Sequence, residues 1–190
     1  MDLGLSGRTA IVTAASRGIG LAVVRGLAAE GVHVIAGARK SSAELDQLAG
    51  TGAVRVVEAD LAELGGTATL VAAAGDQIDI LVNNVGAAPA RTGGFGEITD
   101  EDWLASLTLN LMAAVRTTRA ALPVMVAAEK GAIVNISSAN AFLPDPAVTV
   151  TGRFSRPEEI ADLVLILASD RTANVTGADI TIDGGLIPTW

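Results

Sequence analysis

No cysteine and no tyrosine occur in the 190 residues, and the only histidine is His33. Without cysteine there is no disulfide and no thiolate nucleophile, which suits a reducing compartment, the cytoplasm. One histidine cannot build a histidine-rich site, and no metal centre is expected. Aromatic residues are 3% of the chain and hydrophobic residues 50%, so the core must come from Ala, Val, Leu and Ile. That mixture suits parallel strands covered by helices on both faces. Basic tracts are missing too. The net charge is −8, which argues against nucleic acid and anionic membrane as partners. The opening stretch "MDLGLSGRTAIVTAA" has an acidic residue and no basic segment before its apolar run. It does not read as a signal peptide, and no apolar run reaches membrane-spanning length.

What is present is an alternation of short apolar runs and helical patterns. Strands are expected at "TAIVTAA" (Thr9 to Ala15), "HVIAGAR", "AVRVVEADL", "IDILVNNVG", "GAIVNISS" and, last, "ADITIDGG". Helices are expected at "RGIGLAVVRGLAAEG", ended by Gly31, at "SSAELDQLAG" and at "GGTATLVAAAGD". The longest helix should run from about Asp100 to Lys130, opened by a Thr99–Asp102 capping box and kinked at Pro123. A further helix should start at Ser155 as N-cap, with Glu158 as its partner. This order predicts one α/β domain over residues 1–190, a doubly wound, mostly parallel, Rossmann-like sheet. Its ligand site should lie at the carboxyl ends of the strands.

"TAASRGIG", Thr13 to Gly20, follows the first strand and opens the first helix. Gly18 and Gly20 clear side chains from the place where a phosphate would approach, and the helix N-terminus favours an anion. A tight turn with glycines for packing would look the same. The strand–turn–helix setting and the basic residues nearby favour a dinucleotide. An acid after the second strand would hold free ribose hydroxyls. This strand ends "GARK", with Arg39 and Lys40 and no acid, and Arg17 lies in the glycine turn. These cations suit a 2′-phosphate, so NADP(H) is preferred over NAD(H), unless they are ordinary solvated loop charges.

Taken in order, the motifs resemble the short-chain dehydrogenase/reductase family, from Leu5 to about Val148 and again from about Thr151 to Gly185. "TAASRGIG" is similar to the family's TGxxxGIG turn, with Ala14 in place of its first glycine, a mild change of one methyl. The resemblance implies that Thr13, Ser16, Arg17, Gly18, Ile19, Gly20 and Arg39 hold cofactor. In "ADL", Asp60 matches the residue that meets the adenine amino group, with Leu61 beside it. "NNVG" resembles NNAG and supplies Asn84 and Gly86. Asn110 matches the helix asparagine of a proton relay. Ser138, the second serine of "NISS", matches the serine that binds the substrate oxygen. Singly, each asparagine or serine could be a turn, cap or strand-end residue.

The resemblance also implies a hydride-transfer oxidoreductase acting on a small carbonyl or alcohol, assembled as a homodimer or homotetramer. In the family a tyrosine moves the proton, with a lysine four residues on. Counted from Ser138, these fall on Thr151 and Ser155, and neither can serve. The family's catalytic helix and sixth strand are missing as well, a deficit on the order of 60–70 residues against about 250. Either the natural chain carries a segment that this sequence closes over between 148 and 152, the explanation favoured here, or the segment is truly deleted. Unbroken Cα spacing across Pro146 to Arg153 would exclude the first. The alternative function is a non-catalytic dinucleotide-binding or interaction protein. The 190 residues as written should be nearly inactive.

Overall fold

The computed structural model describes residues 2–88, 94–138, 151 and 153–186. The seam expected between 148 and 152, and the Cα test across it, lie largely outside the described residues. The elements are β1 (Thr9–Val12), α1 (Gly18–Ala29), β2 (His33–Ala38), α2 (Ala43–Ala49), β3 (Val54–Glu58), α3 (Leu64–Ala72), β4 (Ile80–Asn83), α4 (Asp100–Leu107), α5 (Ala113–Ala127), β5 (Ala132–Asn135) and α6 (Pro157–Leu167). The strands form one parallel sheet in the order β3-β2-β1-β4-β5. The chain winds outward from β1 through β2 to β3, crosses over by α3, and continues from β4 to β5. Strand order therefore reverses between β1 and β4, the usual place for a ligand crevice.

Period-two alternation decides which face each strand residue serves. Ala10 and Val12 of β1 join a core with Val23 and Leu27 of α1 and Val164 and Leu165 of α6. Ile11 faces the other way and packs with Leu70 of α3 and Ala121 and Met125 of α5. The approach of α6 to α1 is close, because a Cβ at Gly26 would sit 3.2 Å from the Leu165 methyls. Among the described residues no helix is long and apolar enough to cross a membrane.

The long helix is interrupted, but not at Pro123. A π-helical turn at Thr108–Met112 separates α4 from α5, and Pro123 lies inside α5. Proline is tolerated there because it stands, like Arg119 and Leu122, on an exposed face where water can replace the missing donor. The Thr99–Asp102 capping box forms as expected. The cap of α6 is shifted by one residue. Proline is pre-set for the first helical position, so Pro157 makes Arg156 the N-cap, and Glu159 accepts the Arg156 N–H at 2.7 Å. The Arg153 guanidinium and that N–H hold the Glu159 carboxyl down to about 2. Ser155 instead donates to the Ile182 carbonyl at 3.1 Å.

The last expected strand, "ADITIDGG", does not form. β5 is the outermost strand among the described residues and offers an open edge, but residues 178–182 form no ladder with it. Ala132 and Ile136 direct their amides to β4, so those of Ile133 and Asn135 point the other way. A groove of about 1050 Å³ runs along that edge, lined by Ile133, Ile136, Leu163, Leu167, Ile180 and Asp183 among others.

At the amino end of the sheet Asp79 ties three strands. Its carboxylate accepts the Thr9 N–H at 2.9 Å, Gln77 Nε2 at 2.6 Å and Lys130 Nζ at 2.9 Å. Burial alone would raise its pKa, but these donors outweigh burial and hold it below the usual 3.8. A depressed carboxylate contributes stability above its unfolded pKa and loses it as pH falls through the folded one. Asp79→Ala should cost about 2–3 kcal/mol at neutral pH. Urea titrations at pH 7 and pH 3 should show a smaller acid-induced loss in the variant than in the wild type. Equal losses would remove Asp79 from the acid response.

Candidate functional site

The reversal of strand order places four strand ends side by side. Thr13 follows β1, Arg39 follows β2, Asn84 follows β4 and Ser138 lies three residues beyond β5. Thr13 is fully buried, and its hydroxyl joins the first and fourth strands. It accepts the Asn84 and Val85 N–H groups at 2.8 and 3.0 Å and donates to the Val82 carbonyl at 3.3 Å. That hydroxyl is fully used, so Thr13 supports the turn from behind. Asn84 does the same with its side-chain amide, which donates to the Thr13 and Ala14 carbonyls at 3.2 and 3.4 Å.

These contacts shape the glycine turn. Gly18 has φ +57° with open space around its missing Cβ, whereas at Gly20 a Cβ would lie 2.3 Å from the Ala14 carbonyl oxygen. Helix α1 begins there without a side-chain cap, which leaves its first amides available to an anion. Ala14 is not a mild replacement for glycine. Its φ is +52°, in the left-handed region, so the cost lies in the backbone and not in the volume of a methyl. Ser16 and Ile19 are half-buried on the turn, and Arg17 is exposed beside them.

At the end of β2, Arg39 and Lys40 are exposed. The nearest acid in register is Glu58, paired with Ala38, and its carboxylate accepts the Ser41 N–H at 3.2 Å. Asp60 is exposed and accepts the Ala62 N–H at 3.0 Å. Leu61 is 5% exposed and belongs to the core, so its main chain alone can face a ligand. Gly86 packs against Asn110, whose Oδ1 would lie 3.0 Å from a Cβ there. Asn110 pairs with both main-chain groups of Ala87, accepting its N–H at 2.8 Å and donating to its carbonyl at 2.9 Å. It stands in the π-helical turn and so fastens the loop after β4 to the long helix.

One network escaped the sequence reading. Asn83 and Asn135 occupy the same rung of β4 and β5, and Asn83 Nδ2 donates to Asn135 Oδ1 at 2.9 Å and to Thr118 Oγ1 at 3.0 Å. The signal was present in "ILVN" and "AIVN", two strands ending in the same amide. On the catalytic side, Ser138 is exposed. Thr151 and Ser155, the positions where the spacing calls for tyrosine and lysine, are tied to the C-terminal segment: the Thr151 N–H donates to the Gly184 carbonyl at 3.2 Å, and Ser155 to Ile182.

A bare turn, an uncapped helix end and cations after β2 fit a nicotinamide dinucleotide. The chain belongs to the short chain dehydrogenase family, an NAD(P)-dependent oxidoreductase family whose model matches residues 8–150. A second model, described as enoyl-(acyl carrier protein) reductase, matches residues 145–187. L-xylulose reductase of Mesocricetus auratus is 31% identical, with all of both chains covered. That alignment runs over 248 positions against 190 residues here, so 58 positions face gaps in this chain. D-threitol dehydrogenase of Mycolicibacterium smegmatis is 30% identical, covering 97% of this chain and 94% of the relative. Among solved structures, L-sorbose reductase from Gluconobacter frateurii, complexed with NADPH and L-sorbose, has a TM-score of 0.89 at 27% identity, with all of both chains covered.

The backbone strain at the turn is directly testable. Ala14→Gly should raise stability by about 1 kcal/mol, or about 2–4 °C in Tm for a chain of this size. A lowered Tm would mean that the left-handed conformation carries no cost here. Thr13→Val, which leaves the Asn84 and Val85 amides without their acceptor, should lower stability by about 2–3 kcal/mol in urea titrations.

Proposed function

We propose that the chain is an NADP(H)-preferring member of this family that sets the nicotinamide against a small carbonyl or alcohol substrate. The observation that carries the preference is the set of exposed cations, Arg17, Arg39 and Lys40, around a β2 end that carries no acid. Bound nicotinamide would supply or accept the hydride. The chain's own residues do the rest. Gly18, Gly20 and the first amides of α1 receive the pyrophosphate. Asp60 meets the adenine. Ser138 hydrogen-bonds the substrate oxygen, and Asn110 supports the proton relay by fixing the turn against Ala87. The names of the relatives, L-xylulose reductase, D-threitol dehydrogenase and L-sorbose reductase, make polyhydroxylated ketones and their alcohols the first substrates to test. A cytoplasmic homodimer or homotetramer is the assembly that goes with this reading.

The proton step is the weak point. No tyrosine exists in the sequence, and the two family models meet at residues 145–150. We infer that the natural chain carries a segment with the catalytic helix and sixth strand, over which these 190 residues close between 148 and 152. A general acid is worth about 10²–10⁴ in rate, so this polypeptide should turn over at least that much more slowly than relatives that carry one. Were the segment truly deleted, the second reading would hold, a dinucleotide-binding protein without catalysis.

Intact mass, calorimetric binding and NADPH oxidation separate the readings. The 19.1 kDa chain should bind NADPH at least tenfold more tightly than NADH. Arg39→Ala should weaken NADPH about 10- to 100-fold and leave NADH nearly unchanged. Tight NADPH binding without ketose reduction supports the non-catalytic reading. Turnover at family rates by a 19.1 kDa chain would overturn the missing-acid argument; a natural mass several kDa larger supports the enzyme, and one of 19.1 kDa supports the deletion. Failure to bind either nucleotide would sink both readings.

A further inference from the structure

The cations at the dinucleotide site stand on two separate segments. Arg17 lies on the turn between β1 and α1, whereas Arg39 and Lys40 lie on the loop between β2 and α2. All three are exposed, and none has an ion pair among the described residues. Like charges on neighbouring segments repel, so a loose loop would spread until a phosphate drew it together. One side chain bridges the two segments. Ser42 Oγ donates to the Ser16 carbonyl at 2.8 Å and accepts the Leu45 N–H at 3.2 Å. The same oxygen is thus the N-cap of α2 and a fastener between the cation loop and the glycine turn.

The surrounding contacts show why this bond matters for the loop. On its outer side Ser41 gives its N–H to Glu58 Oε1 at 3.2 Å and its hydroxyl to Asp46 Oδ1 at 2.5 Å. Those bonds hold the loop to β3 and α2, away from the turn. On the inner side the main chain contributes the Ala15 N–H bond to the Gly37 carbonyl at 2.9 Å, which precedes the cations in the sequence. Ser42 closes the other end of the loop. Arg39, Lys40 and Ser41 are therefore bracketed between two bonds to the turn that carries Arg17.

We infer that Ser42 is a positioning residue for cofactor choice: its hydroxyl fixes the distance between Arg17 and the Arg39–Lys40 pair, so that both sides grip one phosphate. The inference rests on the NADP(H) reading above. NADH carries no 2′-phosphate, so a fixed spacing of the cations brings it nothing. The effect belongs to the phosphate end of the ligand and leaves the nicotinamide end untouched.

The test is calorimetric binding of NADPH, NADH and adenosine 2′,5′-bisphosphate to the full chain and to three variants. Ser42→Ala should weaken NADPH and the bisphosphate about five- to tenfold and change NADH less than about twofold, the scale of one lost hydrogen bond. Ser42→Gly keeps most of the helix-cap stability while removing the hydroxyl, so it should behave the same even if Ser42→Ala folds poorly. Ser42→Thr, which keeps both bonds, should restore wild-type affinities. If the wild type prefers NADPH but the Ala and Gly variants keep the same NADPH-to-NADH ratio, Ser42 is only a helix cap and the inference is overturned while the NADP(H) reading stands. If the wild type binds both nucleotides equally, the NADP(H) reading itself fails and takes this inference with it.

Discussion

A threonine hydroxyl sits where the sheet changes direction, and the nucleotide end is built outward from it. Thr13 Oγ1 holds the two amides that follow β4 and the last carbonyl but one of that strand. With β4 held, the Asn84 side chain can reach the Thr13 and Ala14 carbonyls. Those contacts keep Ala14 in a backbone conformation that alanine disfavours, and they bring its carbonyl against Gly20. Helix α1 then starts with its amides uncapped and Arg17 at its mouth. A buried hydroxyl with every hydrogen-bonding position filled is a rigid reference point, since leaving any of those groups unpaired is costly.

The two halves of the chemistry fare differently. Accepting a dinucleotide needs β1, β2, β4 and α1, and each is present with its packing complete. Moving a proton needs groups beyond β5, where the sequence has neither tyrosine nor the lysine four residues on. Among the described residues β5 is an edge, Ser138 is exposed, and Leu122 and Val126 of α5 and Ile180 and Ile182 show apolar surface. A strand edge and apolar side chains left open together are an aggregation hazard that folded proteins usually cover.

The nucleotide half was legible because its signals are local. A strand, a glycine turn and a helix follow one another within about twenty residues, and alternation of apolar runs fixes the fold class. What was not legible depends on distant partners. "ADITIDGG" has the residues of a strand, but a ladder requires an edge within hydrogen-bonding distance, and the sequence does not say that a groove separates this segment from β5. Pro123 signals a break, yet exposure decides whether a break is needed, and the π-helical turn at Thr108–Met112 carries no such mark. Ala14 read as a small change because residue volume is visible in a sequence and φ is not. Ser42 lies in the expected helix "SSAELDQLAG" and caps it. Its second bond, to Ser16, joins residues 26 positions apart.

Helix α6 packs on α1 across Gly26 and Leu165, positions separated by most of the chain. On the ribosome the apolar face of α1 emerges long before its cover. At synthesis rates of about 5–20 residues per second, the intervening chain takes roughly 7–28 s to make. During that interval the nucleotide-binding half lacks one wall of its core. Chaperones that recognise apolar helix surface would have a window set by the order of α1 and α6 along the chain, and a slow stretch of codons ahead of Pro157 would lengthen it.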